Sequence, residues 1–330
     1  MARPDRNVVG AAESRQQAHA AVPQEVDPFA AFATEVSFPT CLACGAPVQQ
    51  RAIVLANGAY SRCSRCGLES LDPLPTDVGT KRLFVQGYFQ GQVPGGYADY
   101  DADGPLHQAN AAARLALVRR YLGDAAPEAV LDVGCAVGHF LAAAAANGAR
   151  VVGVDVSKWA RDEARRRHGI EAERSIADVA VHSPGVFDVV TFFQSLEHMS
   201  RPDLALATAR SCLRPGGLLV IETWDAGSTL ARWQGKSWQQ MNPPTVVHLF
   251  TRPCLDVMLV HAGFAPVAIE VTGKLVSAGL VLHILAGKFP RSLGWLDRLA
   301  RWPAVARLRI RYRLGDLVTV VARASATPAA

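Results

Sequence analysis

The chain has no apolar run that reaches the roughly 18 residues of a membrane-spanning helix. Its first residues also lack the positive segment followed by an apolar one that marks a signal peptide. Acidic residues are scarce in one place: residues 286–314 hold eight lysines or arginines and a single acid, Asp297. This segment contributes +7 to the net charge of +5, and the rest of the chain −2. These absences predict a cytoplasmic protein whose basic character is local.

The glycines of a dinucleotide-binding turn are also missing. The stretch VLDVGCAVGHF, residues 130–140, ends an aliphatic run in Asp132 and Gly134, but the fingerprint G-x-G-x-x-G would need glycines in place of Ala136 and His139. This weakens an assignment to hydride transfer. A turn of this kind still lets a ligand approach the backbone, and it opens a helix with unpaired N–H groups, which favours a nucleotide.

The periodicity of the chain indicates its fold. Half of the 330 residues are hydrophobic, which is enough for a sizeable core. From about residue 104 onward, strand-like and helix-like patterns alternate, which predicts an α/β fold with a parallel sheet covered on both faces. Such sheets bind ligands beyond the carboxyl ends of their strands, where residues 132–138 lie.

Four of the seven cysteines form two C-x2-C pairs, CLAC at 41–44 and CSRC at 63–66. The spacing predicts a zinc site with four thiolate ligands. Because four sulfurs leave no open position, we expect the zinc to be structural and to replace a core too small to fold alone. A redox dithiol is the alternative, but it lacks the expected βαβ surroundings.

Residues 132–138 resemble the D-x-G-x-G-x-G loop of class I S-adenosylmethionine (SAM) methyltransferases, with Ala136 at the middle glycine. LRPGGLLVIET resembles that family's turn into its fifth strand, and RCSRCGLESLDPLP resembles the zinc-ribbon head of a bacterial methyltransferase group. The resemblance implies a Rossmann-like sheet with an N-terminal zinc ribbon and a helical C-terminal insertion before the last strand. It also implies SAM as methyl donor and a structural Zn²⁺. The expected organisation is a flexible tail at 1–38, the ribbon at 39–75, a helical linker or lid at 76–127, the SAM-binding core at 128–273, and the basic insertion with the final strand and tail at 274–330.

The resemblance also implies which residues bind the cofactor and the metal. Asp155 ends the strand after the glycine turn, where an acid of this family accepts hydrogen bonds from the ribose. The expected cofactor-binding residues are Asp132, Gly134, Cys135, Gly138, Asp155, Val156, Phe193 and Gln194. The expected metal ligands are Cys41, Cys44, Cys63 and Cys66.

Catalytic and substrate residues are expected after the fourth and fifth strands. FFQSLEHM supplies Glu197 as a substrate contact and His198 as a candidate base, because imidazole titrates near neutrality, although both could only orient the loop. His248 lies in a segment similar to the family's P-x-H-x-x-x-F-T and is a second candidate base, with a buried structural histidine as the alternative. Trp224 and Trp238 are expected to contact the substrate or to pack the cap.

These features predict an enzyme that methylates oxygen or carbon of a small-molecule acceptor, such as a specialised metabolite or a sugar-linked precursor. The alternatives are an rRNA or tRNA methyltransferase and a non-catalytic scaffold. Residues 307–313 alternate arginine with apolar side chains. A solvated face, contact with anionic lipid or RNA, and a rim for a phosphorylated substrate all stay open for this segment.

Overall fold

The computed structural model describes residues 38–92, 96–97 and 100–325. The tail expected at 1–38 therefore lies outside the described residues, apart from Phe38. A small antiparallel sheet comes first, followed by helices. These elements are β1 (Val48–Leu55), β2 (Gly58–Cys63), β3 (Glu69–Leu71), α1 (Asp77–Leu83), α2 (Gln86–Phe89) and α3 (Gly104–Tyr121).

Alternating strands and helices build the main sheet, as the periodicity predicted. The elements are β4 (Ala129–Val133), α4 (His139–Ala146), β5 (Arg150–Val154), α5 (Lys158–His168), β6 (Ala172–Glu173), α6 (Ile176–His182), β7 (Phe187–Phe193), α7 (Pro202–Cys212) and β8 (Leu213–Trp224). After them come α8 (Thr229–Gln234), β9 (His248–Leu249), α9 (Arg252–His261) and β10 (Phe264–Val271).

The chain closes with a helical insertion and a last strand. The elements are β11 (Lys274–Ser277), α10 (Ala278–Lys288), α11 (Pro290–Leu293), α12 (Leu296–Ala300), α13 (Pro303–Ala306), β12 (Arg309–Tyr312) and β13 (Leu317–Ala324). Strands β11 and β12 pair antiparallel and form the base of the insertion. The helical insertion before the last strand is thus confirmed.

The seven strands of the main sheet follow the order β10-β13-β8-β7-β4-β5-β6. Strands β4, β5, β6, β7 and β8 pair in parallel, whereas β13 runs antiparallel between β8 and β10. Every residue of β4 and β7 is buried, as expected where helices cover both faces. The chain leaves these two neighbours toward opposite edges of the sheet, so a crevice opens at their carboxyl ends. The predicted Rossmann-like α/β fold is confirmed.

The ribbon is joined to the main domain through β9 and α9. Strand β9 pairs with β3 and becomes the fourth strand of the small sheet. Cys41, Cys63 and Cys66 share a buried cluster with side chains of α9, and Thr251 Oγ1, at the start of that helix, donates to the Cys66 carbonyl at 2.7 Å. The domain boundaries drawn from the sequence stay a prediction.

Within the described residues, no helix has both the length and the apolar character needed to cross a membrane.

Candidate active site

A cavity of about 1650 Å³ lies at the carboxyl ends of β4, β5, β7 and β8. A pocket for one small ligand typically measures about 300–1000 Å³, so this cavity has room for two molecules. Side chains of α2, α3 and the insertion also line it. The sequence-predicted residues that it brings together are Asp132, Gly134, Cys135, Asp155, Val156, Phe193, Gln194, Glu197, His198 and Trp224.

The glycine turn after β4 is shaped by its contact with the end of β7. Gly134 has a φ of +86°, and a Cβ built there would lie 2.3 Å from the Cβ of Ser195. The Ser195 hydroxyl donates to the Val133 carbonyl at 2.5 Å, which fastens the two strand ends together. Glycine is therefore required at this position by the protein's own packing.

Two other positions of the turn also have left-handed backbone. Ala136 has a φ of +48° and replaces the middle glycine of the family loop at a cost of about 1–2 kcal/mol. Gly138 has a φ of +85° and begins α4. A Cβ at Gly138 would lie 3.1 Å from Ile170 Cδ1, and Gly138 is not among the cavity-lining residues. Gly138 therefore lets the start of α4 approach Ala164 of α5 and Ile170 closely, and its contact with the cofactor stays a prediction.

Asp155 presents a carboxylate at the cavity wall beyond β5. Its Oδ1 accepts from the Ser157 N–H at 2.8 Å and its Oδ2 from the Ala136 N–H at 2.9 Å. Burial raises the pKa of Asp155, whereas these two N–H groups lower it. Each oxygen keeps a further lone pair, so the carboxylate can still accept hydrogen bonds from a diol.

Buried polar atoms without a partner also belong to the cavity wall. The buried Arg114 Nε, Gln194 Nε2 and His107 Nε2 have no hydrogen-bond partner, and all three residues line the cavity. Asp132 accepts from the Thr191 hydroxyl at 2.7 Å, and burial raises its pKa to about 6. Unsatisfied buried donors are costly, so this wall fits a ligand with acceptor groups, such as the amino-acid end of SAM.

His198 combines a fixed ring with a free nitrogen. Its Nδ1 lies 2.6 Å from the Thr245 carbonyl oxygen. Because a carbonyl can only accept, Nδ1 carries the proton and the neutral ring has its lone pair on Nε2. In the described part of the chain Nε2 makes no hydrogen bond, and the Phe84 ring packs edge-on at 5.3 Å between centroids. His198 therefore has the tautomer that a general base at the cavity requires.

Glu197 is buried beside His198 and is held by its own contacts. Its Oε2 accepts from the Thr223 hydroxyl at 3.1 Å, and its backbone carbonyl accepts from the Val247 N–H at 2.9 Å. Burial raises the pKa of Glu197. These contacts orient the loop after β7, while the side chain still reaches the cavity wall.

Lys274 is a cavity residue that the sequence did not reveal. Its Nζ donates to Gln194 Oε1 at 2.9 Å and lies 4.8 Å from the Trp224 ring centroid, in the geometry of a cation–π contact. Burial lowers the pKa of Lys274 to about 8. A single lysine in the stretch VTGKLVS carries no signal of this contact, since its partners lie 50 and 80 residues away in the sequence.

Besides Gly138, two predicted site residues do not line the cavity. His248 is fully buried, with Nδ1 2.9 Å from Ser70 Oγ and Nε2 3.4 Å from the Ser200 carbonyl, and burial lowers its pKa to about 4. Trp238 is 3% exposed and donates from Nε1 to Asp316 at 3.0 Å. Neither lines the cavity. These contacts favour the two alternatives left open by the sequence, a buried structural histidine for His248 and packing of the cap for Trp238.

The four cysteines predicted as metal ligands converge on one point. All four Sγ atoms lie within 4.8 Å of one another, and the pairs Cys41/Cys66 and Cys44/Cys63 are 3.5 Å apart. A tetrahedral zinc about 2.3 Å from each sulfur would separate the sulfurs by about 3.8 Å. The donor set and its spacing therefore fit a zinc ion.

Residues 245–247 connect the ribbon with the loop after β7 that carries Glu197 and His198. On the ribbon side, the Tyr60 hydroxyl donates to the Val246 carbonyl at 2.7 Å and the Leu71 N–H to the Val247 carbonyl at 2.8 Å. On the other side, the same segment bonds the His198 ring and the Glu197 carbonyl. The ribbon therefore sets the position of the segment that holds His198.

Comparisons with known proteins agree with this architecture. A family model described as a methyltransferase domain matches residues 106–269. The ubiquinone biosynthesis O-methyltransferase of Idiomarina loihiensis is 34% identical over 134 residues, which cover 38% of this chain and 54% of that protein. The protein of the same name from Xanthomonas euvesicatoria is 36% identical over 133 residues, covering 38% and 55%. The chain thus spans about half the length of the curated relatives it matches.

Among solved structures, the 1,6-didemethyltoxoflavin-N1-methyltransferase of Burkholderia thailandensis is 18% identical, with 84% of this chain and 99% of that chain covered and a TM-score of 0.46. The family model covers β4–β9, the glycine turn, Asp155 and His198. Residues 106–269 thus form a methyltransferase domain of the kind this family model describes.

Proposed function

We propose that the protein transfers the methyl group of SAM to an oxygen atom of a small-molecule acceptor. The observation that carries this proposal is His198, whose Nδ1 is fixed by the Thr245 carbonyl and whose Nε2 is free beside the cavity. The curated relatives are named O-methyltransferases, which supports oxygen over carbon as the acceptor atom. Their names do not point to a specialised metabolite or to RNA.

SAM supplies a methyl group bound to a positively charged sulfur, and a nucleophile attacks the methyl carbon in line with the carbon–sulfur bond. The chain's part is to bind and orient both molecules and to exclude water. We assign the ribose hydroxyls to Asp155 and the amino-acid end to the unpartnered donors of Arg114 and Gln194. Tyr88, Tyr97 and Tyr100 line the cavity and would form its lid.

His198 would act on the acceptor. As the acceptor oxygen bonds to the methyl carbon, its hydroxyl proton moves to Nε2, and the products are a methyl ether, S-adenosylhomocysteine and a protonated imidazole. The Nδ1–H bond to Thr245 supports the imidazolium that results. General base catalysis of this kind contributes about 10²–10⁴ in rate. Trp224, with Lys274 over its ring, offers an aromatic wall for the acceptor.

We also propose that Cys41, Cys44, Cys63 and Cys66 bind a structural Zn²⁺. Four thiolates would leave the ion no open position, so it supplies cross-linking of the ribbon and no chemistry to the reaction. Thiolate ligands need a reducing compartment, which we propose to be the cytoplasm.

The first test is calorimetric titration with S-adenosylhomocysteine. The wild type should bind, and Asp155→Ala should bind at least about 10-fold more weakly, since each hydrogen bond to a charged group is worth about 1.5–3 kcal/mol. Asp162→Ala, on the exposed side of α5, is the matched control and should bind as the wild type does. A folded wild type that does not bind would reject the enzyme assignment. Equal binding by Asp155→Ala would reject only the ribose contact.

The second test separates binding from catalysis. A panel of hydroxylated small molecules is screened for production of S-adenosylhomocysteine, and His198→Ala is compared with His182→Ala, an exposed histidine at the end of α6. We expect His198→Ala to keep S-adenosylhomocysteine affinity and to lose about 10²–10⁴ in turnover. Turnover that stays at the wild-type level in His198→Ala would show that the histidine only orients the loop.

A further inference from the structure

The insertion exposes large apolar side chains to solvent. Their exposed fractions are Phe289 53%, Trp295 62%, Trp302 60%, Leu308 58% and Leu314 60%. Trp233 in α8 is 80% exposed, and its neighbour Gln234 accepts from Lys288 of the insertion at 2.8 Å. Several exposed apolar side chains of this size within one short segment are typical of an interaction site. We call residues 288–314 together with Trp233 the insertion surface.

The same surface carries uncompensated positive charge. Arg291, Arg298, Arg307, Arg309 and Arg311 are exposed, and among the described residues none of their side chains forms an ion pair or a hydrogen bond. The single acid of the segment, Asp297, is already engaged by Arg301 and His283. Such a cluster attracts an anionic surface over roughly the Debye length, about 8 Å at physiological ionic strength.

The arginines and the large apolar side chains together indicate which partner the insertion surface binds. Arginines alone would suit RNA or anionic lipid equally. Leu308, Leu314 and Phe289 would gain little from a sugar-phosphate backbone, but they leave water when they enter the acyl boundary of a bilayer. Tryptophan is enriched at the level of lipid headgroups, which matches Trp295 and Trp302.

The insertion surface adjoins the far end of the cavity. Leu280, Pro303, Ala306, Arg307 and Arg309 belong to the insertion and line the cavity as well. A membrane against the insertion would therefore face this end of the cavity. An acceptor with an apolar part in the bilayer and a polar hydroxyl could then reach His198 from the lipid side.

We propose that the insertion surface docks the protein onto an anionic lipid bilayer. Docking itself does not depend on methyl transfer. Arginines supply the attraction and the exposed tryptophans and leucines enter the interface, where short helices and a hairpin lie on the membrane without crossing it.

The test is co-sedimentation of the full-length, zinc-loaded protein with vesicles of phosphatidylcholine, with and without phosphatidylglycerol. We expect binding to the anionic vesicles that weakens at high salt and little binding to the neutral ones. Each arginine near an anionic surface is worth about 1 kcal/mol, a factor of about five. Arg298→Gln/Arg311→Gln should therefore bind about 25-fold more weakly, and Trp295→Ser/Trp302→Ser should also lose binding.

Two control variants check that the effects are local. Arg165→Gln/Arg166→Gln removes two exposed arginines from α5, and Val181→Ser removes a valine that is 75% exposed on α6. Both should bind vesicles as the wild type does. All variants should bind S-adenosylhomocysteine with wild-type affinity, and this measurement checks that they are folded.

Three results would overturn the proposal. They are no binding to anionic vesicles by a protein that binds S-adenosylhomocysteine, equal loss in the insertion and α5 arginine variants, and a salt-sensitive shift with RNA in the absence of vesicle binding.

Discussion

Substituting Gly134 by alanine tests whether the protein itself, through Ser195, dictates glycine in the turn. The left-handed backbone at φ +86° disfavours alanine by about 1–2 kcal/mol. The new methyl carbon would also stand 2.3 Å from Ser195 Cβ, a contact that a short side chain on a buried strand end cannot avoid by rotating. Overpacking of this kind costs about 1–3 kcal/mol. We therefore expect Gly134→Ala to lower the free energy of unfolding by about 2–5 kcal/mol.

Gly148→Ala is the matched control, because it shares the backbone conformation without the contact. Gly148 follows α4 with a φ of +90°, and no other atom lies within 4 Å of a Cβ built there. This variant should lose only the backbone cost, about 1–2 kcal/mol. Urea unfolding of both zinc-loaded variants measures the two losses, and their difference reports the contact with Ser195.

A third variant makes the reasoning refutable in both directions. Gly134→Ala/Ser195→Gly removes the obstructing side chain and should recover part of the stability that Gly134→Ala loses. Equal losses for Gly134→Ala and Gly148→Ala would refute the steric explanation. So would a double variant that is no more stable than Gly134→Ala alone.

Three further predictions concern other parts of the site. Tyr60→Phe should cost about 1–3 kcal/mol of stability because it leaves the Val246 carbonyl without its partner. It should also lower kcat without changing S-adenosylhomocysteine affinity. The control Tyr121→Phe, which loses a hydrogen bond to Glu270, should change stability only. Burial raises the pKa of Asp132 to about 6, so the folded chain holds a proton that the unfolded chain has released, and this stability is lost as pH rises through about 6. The stability of Asp132→Asn relative to the wild type should therefore rise by roughly 2.4 kcal/mol between pH 4 and pH 7 in unfolding experiments. Cys63→Ser should lose its zinc in a metal assay, whereas Cys212→Ser should keep it.

The parts of the site that could be predicted are those whose chemistry is local in sequence. The aliphatic run, the aspartate and the glycines of residues 130–138 are adjacent in the chain, so one stretch carries both the strand and the turn. The paired cysteines are equally compact, because each C-x2-C is a single turn. Asp155 follows from the same logic, as an acid directly after the next strand.

The parts that could not be predicted depend on contacts between distant residues. Trp238 was assigned to the substrate by its residue type, but its partner is Asp316, 78 residues away. His248 was assigned by its neighbours in sequence, but it sits in a two-residue strand whose pairing with β3 buries it. Lys274 lines the cavity through contacts with Gln194 and Trp224, which lie 80 and 50 residues earlier in the sequence. No local pattern specifies any of these three positions.

The contact between the ribbon and residues 245–247 is a further feature that the sequence does not predict. The ribbon's cysteines predict a metal-bound fold, yet its contact with residues 245–247 comes from Tyr60 and Leu71, which carry no motif. That segment in turn supplies the carbonyl that fixes the His198 tautomer. Loss of zinc would therefore loosen the segment from the ribbon side first and leave Asp155 and the glycine turn, which lie on the main sheet, in place. Metal removal should thus impair turnover at concentrations of chelator where S-adenosylhomocysteine still binds, and this separation distinguishes a ribbon that positions His198 from one that only adds stability.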